Sequence, residues 1–322
     1  MIYVLLLVGL TVLILAGDLL VRGAVGLSKR VGIPPLVIGL TIVAMGTSAP
    51  ELVVSLDAAQ KGAAGLALGN VVGSNITNVL FVLGVPALFC AIDCRQNGIR
   101  RSTLFMIAIS VILIGLSLDG SLSAMDGVVL LAFLAIFVGY SFHHARRDMK
   151  NRDAAEAFEE LEEAPDDTKR IVLFLVAGLI GLPLGAKLTT DNALAIAATW
   201  QVADSAVGLT IVALGTSLPE FAAGMAAAMR RQHAVAIGNV VGSNIFNILF
   251  ILGLIVTFFP LSVPENFLRF DFWVMLATSA LLLPLVLMGR KIGRIEGAVM
   301  TVAYLGYVYF VYHMNMVTIP GA

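Results

Sequence analysis

The chain has 322 residues, 59% of them hydrophobic and 13% charged, with a formal net charge of −1 and a mean hydropathy of +0.97. An average soluble domain carries roughly a quarter charged residues, so a water-soluble globule is excluded. The net charge itself excludes nothing about partners, because in a chain this apolar what matters is where the basic residues fall.

One bilayer span takes about 20 apolar residues, and the hydrophobic runs predict ten: about 2–27, 33–58, 66–90, 102–118, 124–145, 171–195, 203–229, 235–259, 271–288 and 295–314. The expected fold is an all-α membrane protein of two five-helix halves, residues 1–145 and 171–322, joined by a linker at 146–170. The first run opens on Met1-Ile2-Tyr3 without a basic region and ends without a small-residue cleavage site, so it reads as a retained helix and not a signal peptide. It carries Asp18 and Arg22 four residues apart; the sixth run carries Lys187 and Asp191 at the same spacing with the signs exchanged. Both read as ion pairs within their own helices.

Between these lie the informative segments. The second run holds GLTIVAMGTSAPE (39–51), and the third holds GNVVGSNITNVLFVLG (69–84). Cys90 and Cys94 sit at a helix end with no histidine nearby, which fits a reduced, chemically quiet pair. The linker carries the acidic run Glu156, Glu159, Glu160, Glu162, Glu163, Asp166 and Asp167, the composition of a solvated connection. The seventh run then holds GLTIVALGTSLPE (208–220), and the eighth holds GNVVGSNIFNILFILG (238–253).

These are two copies of one unit. Shifting the sequence by 169 residues lays 39–84 on 208–253 without a gap, with 27 of 46 positions identical. Five spans precede the second copy, and an odd number reverses the direction of entry, so the repeat is expected to be inverted. Inverted repeats with interrupted helices are a recurring plan of secondary transporters, with the substrate held near the bilayer midplane. Alternating the spans puts 16 of the 20 basic residues on one side; by the positive-inside rule that side is cytoplasmic and both termini lie outside.

Within each unit the chemistry centres on a glutamate. Glu51 and Glu220 fall near the middle of their spans, where a carboxylate costs several kcal/mol unless a proton, a metal ion or another span neutralises it. Thr47 and Ser48 precede Glu51 by four and three residues, and Thr216 and Ser217 precede Glu220 in the same way, so each trio shares a helix face. Pro50 and Pro219 remove a backbone donor and push away the carbonyls of Gly46 and Gly215. Ser74 and Asn78 share a face of the next helix, as do Ser243 and Asn247. The donors are all oxygen, which suits Ca²⁺ or Na⁺ and argues against Zn²⁺ or Cu⁺. Two carboxylates give a charge of −2 that one Ca²⁺, Na⁺ ions or protons can neutralise, and competition for such a site is the electrostatic basis of exchange.

GTSAPE with GNVVGSNITN, and GTSLPE with GNVVGSNIFN, closely resemble the two repeats of the calcium/cation antiporter superfamily, and the ten-span layout resembles its compact prokaryotic sodium/calcium exchangers. The resemblance implies a secondary-active antiporter of the bacterial inner membrane, not an enzyme. It exchanges Ca²⁺ for Na⁺ by alternating access and has no cofactor beyond the transported ions. The lipid bilayer and those cations are the partners implied; neither a nucleic acid nor an obligate protein partner is expected. It also implies ligation by Glu51 and Glu220, with Thr47, Ser48, Ser74, Asn78, Thr216, Ser217, Ser243, Asn247 and the carbonyls of Ala44 and Ala213, and a first and sixth helix that slide across the others. This chain has Asn at both 78 and 247, where relatives can carry one aspartate, so the resemblance transfers neither a Na⁺ stoichiometry nor a K⁺ dependence. The 146–170 linker is too short for the calcium-sensing domain of animal exchangers. Ca²⁺/H⁺ exchange, a cation channel and an intramembrane protease are the rival readings, in falling order.

Overall fold

A computed structural model describes residues 1–148, 165, 167–199 and 213–317. Most of the acidic linker and the start of the expected seventh span therefore lie outside the described residues. Helix α1 (Ile2–Val31) leads into a broken segment made of α2 (Pro35–Ile38), a π turn (Gly39–Val43), α3 (Ala44–Thr47) and α4 (Ala49–Gln60). The break falls at Ser48 (φ −81°, ψ 10°), and the axis bends by 45° there. Pro50, in the first turn of α4, is the cause expected from the sequence, since its ring cannot coexist with a continuous helical hydrogen-bond ladder. After it come α5 (Ala64–Thr77), a π turn (Asn78–Leu83) and α6 (Gly84–Phe89), then α7 (Ile99–Leu116) and α8 (Ala124–Asp148).

The second half follows the same order. Helix α9 (Thr168–Thr199) precedes α10 (Ala213–Thr216) and α11 (Leu218–Met229), which are broken at Ser217 (φ −87°, ψ 5°) with Pro219 just beyond. Next are α12 (His233–Phe246), a π turn (Asn247–Leu252), α13 (Gly253–Phe258), a further π turn (Phe267–Asp271), α14 (Phe272–Leu287) and α15 (Arg294–Val317). The two equivalent π turns each begin at the asparagine singled out from the sequence. Such turns are rare and often mark functional sites.

Among the described residues the helices are joined by four two-residue strands that the apolar pattern does not foresee. β1 (Ile92–Asp93) pairs with β4 (Lys291–Ile292), and β2 (Ser121–Leu122) pairs with β3 (Leu261–Ser262), both antiparallel. A shift of 169 residues lays β1 on β3 and carries β2 onto the start of β4, so the two ladders exchange places. Among the described residues, seven helices are long and apolar enough to cross a membrane, and the bent α2–α4 segment is an eighth. Helices α11 and α15 occupy the positions of the seventh and tenth predicted spans but fall outside that set.

The two halves meet along α5, α4, α11 and α12, whose facing side chains are buried. Helices α1 and α9 run against each other at the periphery, with Leu7, Ile14, Ile180 and Leu184 turned outward as lipid-facing residues are. Glycine makes this pairing close: a Cβ on Gly178 would lie 2.8 Å from the Leu20 backbone, and one on Gly17 would lie 2.8 Å from the Ala222 carbonyl oxygen on α11. Small residues of this kind let helix backbones approach where lipid offers no hydrophobic drive to associate.

The helix-internal ion pairs come out unequally. Lys187 and Asp191 pair at 2.9 Å as expected. Asp18, in contrast, is 3.9 Å from Arg22 and makes its closer contact with Arg230 at the end of α11. Arg22 lies over the Phe174 ring, 4.9 Å from its centroid. The expected pairing of Asp18 with Arg22 is thus present but shared with a closer partner 212 residues away. In the turn between α6 and α7, Arg95 holds the Asp93 carboxyl down at about 2, and burial pushes the Cys94 thiol up to about 12. Cys90 and Cys94 are both free thiols.

Candidate functional site

Glu51 and Glu220 occupy the first turns of α4 and α11, immediately after the two helix breaks, and both are completely buried. Each break turns a Ser hydroxyl toward the opposite half. Ser48 Oγ donates to Glu220 Oε1 at 2.8 Å, and Ser217 Oγ donates to Ser74 Oγ at 3.5 Å. The Ser74 and Ser217 hydroxyls face the Glu51 carboxylate, and those of Thr47, Ser48 and Ser243 face the Glu220 carboxylate. Each acid is therefore surrounded by hydroxyls from both halves. The two carboxylates are also close enough to repel one another.

The site is notable for what it leaves unsatisfied. Neither oxygen of Glu51 has a hydrogen bond of ordinary geometry, and Glu220 Oε2, Asn78 Oδ1, Asn247 Oδ1 and Ser243 Oγ also lack one. Among the described residues neither glutamate forms an ion pair with a basic side chain. Buried polar atoms are almost always partnered, and an uncompensated buried charge costs several kcal/mol. These six oxygens come from both repeat units and are all buried, and the donors about the two acids are the neutral hydroxyls just named.

Other predicted ligands are more committed to the protein. Thr47 Oγ1 donates to Asn239 Oδ1 and to the Ala44 carbonyl, both at 3.3 Å, while the Ser48 amide also donates to that carbonyl at 3.1 Å. The Ala44 oxygen is thus engaged locally and not set free by the break. Thr216 Oγ1 donates to Asn70 Oδ1 at 3.4 Å. Ala213 opens α10, directly after residues outside the description.

Four asparagines that the sequence reading passed over complete the site. Asn70 Nδ2 donates to the Glu51 carbonyl at 3.2 Å and to Ser55 Oγ at 2.8 Å, and Asn239 Nδ2 donates to the Glu220 carbonyl at 3.3 Å. They tie down the backbone that carries each acid. Asn75 and Asn244 bridge the two π turns: Asn78 Nδ2 donates to Asn244 Oδ1, and Asn247 Nδ2 donates to Asn75 Oδ1, both at 3.1 Å. The available signal was their identity in both repeat copies, Asn70 and Asn239 as the second residue of GNVVG and Asn75 and Asn244 as the third of GSN.

The family model described as sodium/calcium exchanger protein matches residues 1–143 and 170–313. The chain belongs to the sodium/calcium exchanger family. Among curated relatives, the inner membrane protein YrbG of Escherichia coli K12 is 34% identical over 319 residues, covering 98% of each chain. The sodium/calcium exchanger MaX1 of Methanosarcina acetivorans is 32% identical over 351 residues, covering 97% of this chain and 99% of its own. Among solved structures, the sodium–calcium exchanger NCX_Mj soaked with Na⁺ and Sr²⁺ superimposes with a TM-score of 0.81 at 29% identity, over 96% of this chain and 97% of that one. The chain is thus a multi-pass membrane protein of a cation-antiporter family with the NCX_Mj fold. Among its described residues no three His, Cys, Asp or Glu side chains gather, so a cation bound here would be coordinated largely by neutral oxygens around the two acids.

Proposed function

We propose that this protein exchanges Ca²⁺ for Na⁺ across the bacterial inner membrane by alternating access, with the cations bound between Glu51 and Glu220. The observation that carries the reading is the pair of fully buried carboxylates, faced by neutral hydroxyls, with three of their four oxygens lacking a hydrogen bond of ordinary geometry and no ion pair to a basic side chain among the described residues. Hard oxygen donors of this kind suit Ca²⁺ and Na⁺. On this reading Ser74, Asn78, Ser243 and Asn247 join the acids as ligands, with Ser48, Ser217, Thr47 and Thr216 contributing; the hydroxyls of Ser74, Ser217, Thr47, Ser48 and Ser243 that face the two carboxylates support it. With both acids ionised, the empty site carries −2 in a dry passage, which penalises crossing without cargo and so enforces coupling.

The reading includes ten spans in two inverted five-helix repeats, a first repeat at 1–145, a second at 171–322, and both termini outside. Support comes from the reciprocal contacts: Ser48 with Glu220, the exchanged asparagine pairs, and the strand ladders that swap under the 169-residue shift. Residues 39–84 and 208–253 then alternate as inner and outer walls of one site. The deciding experiment is ⁴⁵Ca²⁺ uptake into proteoliposomes driven by an outward Na⁺ gradient or by a pH gradient. Uptake with the Na⁺ gradient alone is expected; uptake with the pH gradient alone would replace Na⁺ by H⁺ as the counter-ion.

A further inference from the structure

The oxygens of Asn78 and Asn247 can serve a cation only if the amides face the right way. An amide presents a carbonyl oxygen at one end and an NH₂ at the other, and the two ends have nearly the same shape. A cation attracts the first and is repelled by the second. Something must therefore fix the polarity of each amide before an ion arrives.

The buried contacts supply it through two short chains of obligatory choices. Asn244 Nδ2 lies 3.1 Å from the backbone carbonyl of Asn75. A carbonyl only accepts, so Asn244 must turn its nitrogen there and its Oδ1 toward Asn78. Asn78 must then turn its nitrogen to Asn244, 3.1 Å away, which leaves its Oδ1 facing elsewhere, buried and without a partner. The second chain starts at the Met275 thioether, which also can only accept. Asn75 Nδ2 donates to Met275 Sδ at 3.5 Å, so Asn75 Oδ1 faces Asn247 Nδ2 at 3.1 Å. Asn247 Oδ1 is left buried and unpartnered. All five side chains are at most 1% exposed, so water cannot replace any link.

We infer that Asn75, Asn244 and Met275 are positioning residues that set the amide polarity of Asn78 and Asn247, so that both present oxygen and not NH₂ to the transported cation. This rests on the site proposed above. The two anchors differ chemically: one chain ends on a backbone carbonyl of the other half, and the second on a thioether of α14. The backbone-anchored chain is the firmer, because a thioether is only a weak acceptor.

The test is Ca²⁺ affinity and maximal rate in proteoliposomes for Asn244→Leu, Met275→Leu, Asn78→Asp and the double variant Asn78→Asp/Asn244→Leu, with Glu51→Gln and Glu220→Gln alongside. Releasing an amide from one hydrogen bond is expected to raise the Ca²⁺ KM about five- to tenfold for Asn244→Leu, and less for Met275→Leu, with the maximal rate held within about twofold. The double variant separates positioning from general damage. A carboxylate at 78 has no NH₂ end to hide and sets an acceptor against Asn244 Oδ1. Asn244 cannot turn to relieve this without facing its oxygen to the Asn75 carbonyl. Asn244→Leu is therefore expected to lower the Ca²⁺ KM in the Asn78→Asp background while raising it in the wild type.

Equal penalties in both backgrounds, or an unchanged KM in the single variants, would overturn the inference. Should Asn244→Leu fail to fold, the volume-conserving Met275→Leu decides by its KM alone. If Glu51→Gln and Glu220→Gln retain full uptake, the site itself is misplaced. If they abolish it while the asparagine effects are additive, only the positioning role fails.

Discussion

Replacing Glu51 by glutamine separates a transport site from a structural acid, because the two roles predict opposite effects on stability. Glu51 is fully buried, neither of its oxygens has a hydrogen bond of ordinary geometry, and no ion pair supports it. In the absence of cations its charge is a liability, so Glu51→Gln is expected to melt at the same temperature as the wild type or higher. With cations the sign reverses. Removing one partner from a buried charge pair costs roughly 3–5 kcal/mol, or about 10²- to 4 × 10³-fold in affinity at 1.4 kcal/mol per tenfold. Ligand binding stabilises the folded state by RT ln(1 + [L]/Kd), so the wild type should gain melting temperature with added Ca²⁺ and the variant should not. Thermal unfolding in detergent with and without Ca²⁺, paired with Na⁺-driven ⁴⁵Ca²⁺ uptake, reads both quantities. A variant that is destabilised without ions, or that keeps its Ca²⁺-induced shift and its uptake, would refute the reasoning.

Other perturbations probe the surroundings. Ser48→Ala removes the 2.8 Å bond to Glu220, and a hydrogen bond to a charged group contributes about 1.5–3 kcal/mol; uptake kinetics should show a Ca²⁺ KM raised by roughly tenfold or more, a larger change than that from Ser217→Ala, whose hydroxyl lies 3.5 Å from Ser74 and faces Glu51 without a bond of ordinary geometry. Asp18→Asn breaks a contact between α1 and the end of α11 and should change maximal uptake by up to about fivefold, in line with the small worth of partly exposed ion pairs. Lys187→Met should change it by less than about twofold, because Lys187 is 75% exposed and pairs only within its own helix; equal effects of the two substitutions would contradict this. Maleimide labelling of folded protein at pH 8 should modify the half-buried Cys90 and spare Cys94, whose thiol is buried and held protonated; rapid labelling of Cys94 would place that turn differently.

The site was legible from the sequence because duplication repeats its parts: Glu51 and Glu220, the hydroxyls before them and Asn78 with Asn247 recur at one spacing, and Pro50 and Pro219 fix where the helices break. Backbone detail was less legible. The sequence marks the carbonyls of Gly46 and Gly215 as those Pro50 and Pro219 push away, but it does not show that the Ala44 carbonyl, a ligand only by resemblance, also accepts from the Ser48 amide and the Thr47 hydroxyl. Asn70 and Asn239 were invisible as supports because they act on backbone carbonyls, which no side-chain pattern reveals. The short strands lack the length at which alternation can register. The contact of Asp18 with Arg230 joins residues too far apart for helical spacing to connect, so the local pairing with Arg22 was the one the pattern offered.

That contact also has no mirror image. The 169-residue shift carries Asp18 to Lys187 and Arg230 to Lys61, so the equivalent approach of α9 to α4 would set one lysine against another. Lys61 is already held by Asp57 at 2.6 Å, and Lys187 by Asp191. The two halves, alike in their repeat motifs, thus differ at this contact: Asp18 reaches across to Arg230 in one, while in the other each lysine is paired within its own helix. On the alternating-access reading proposed above, this one-sided ion pair would favour the arrangement that keeps Asp18 on Arg230 over its mirror image.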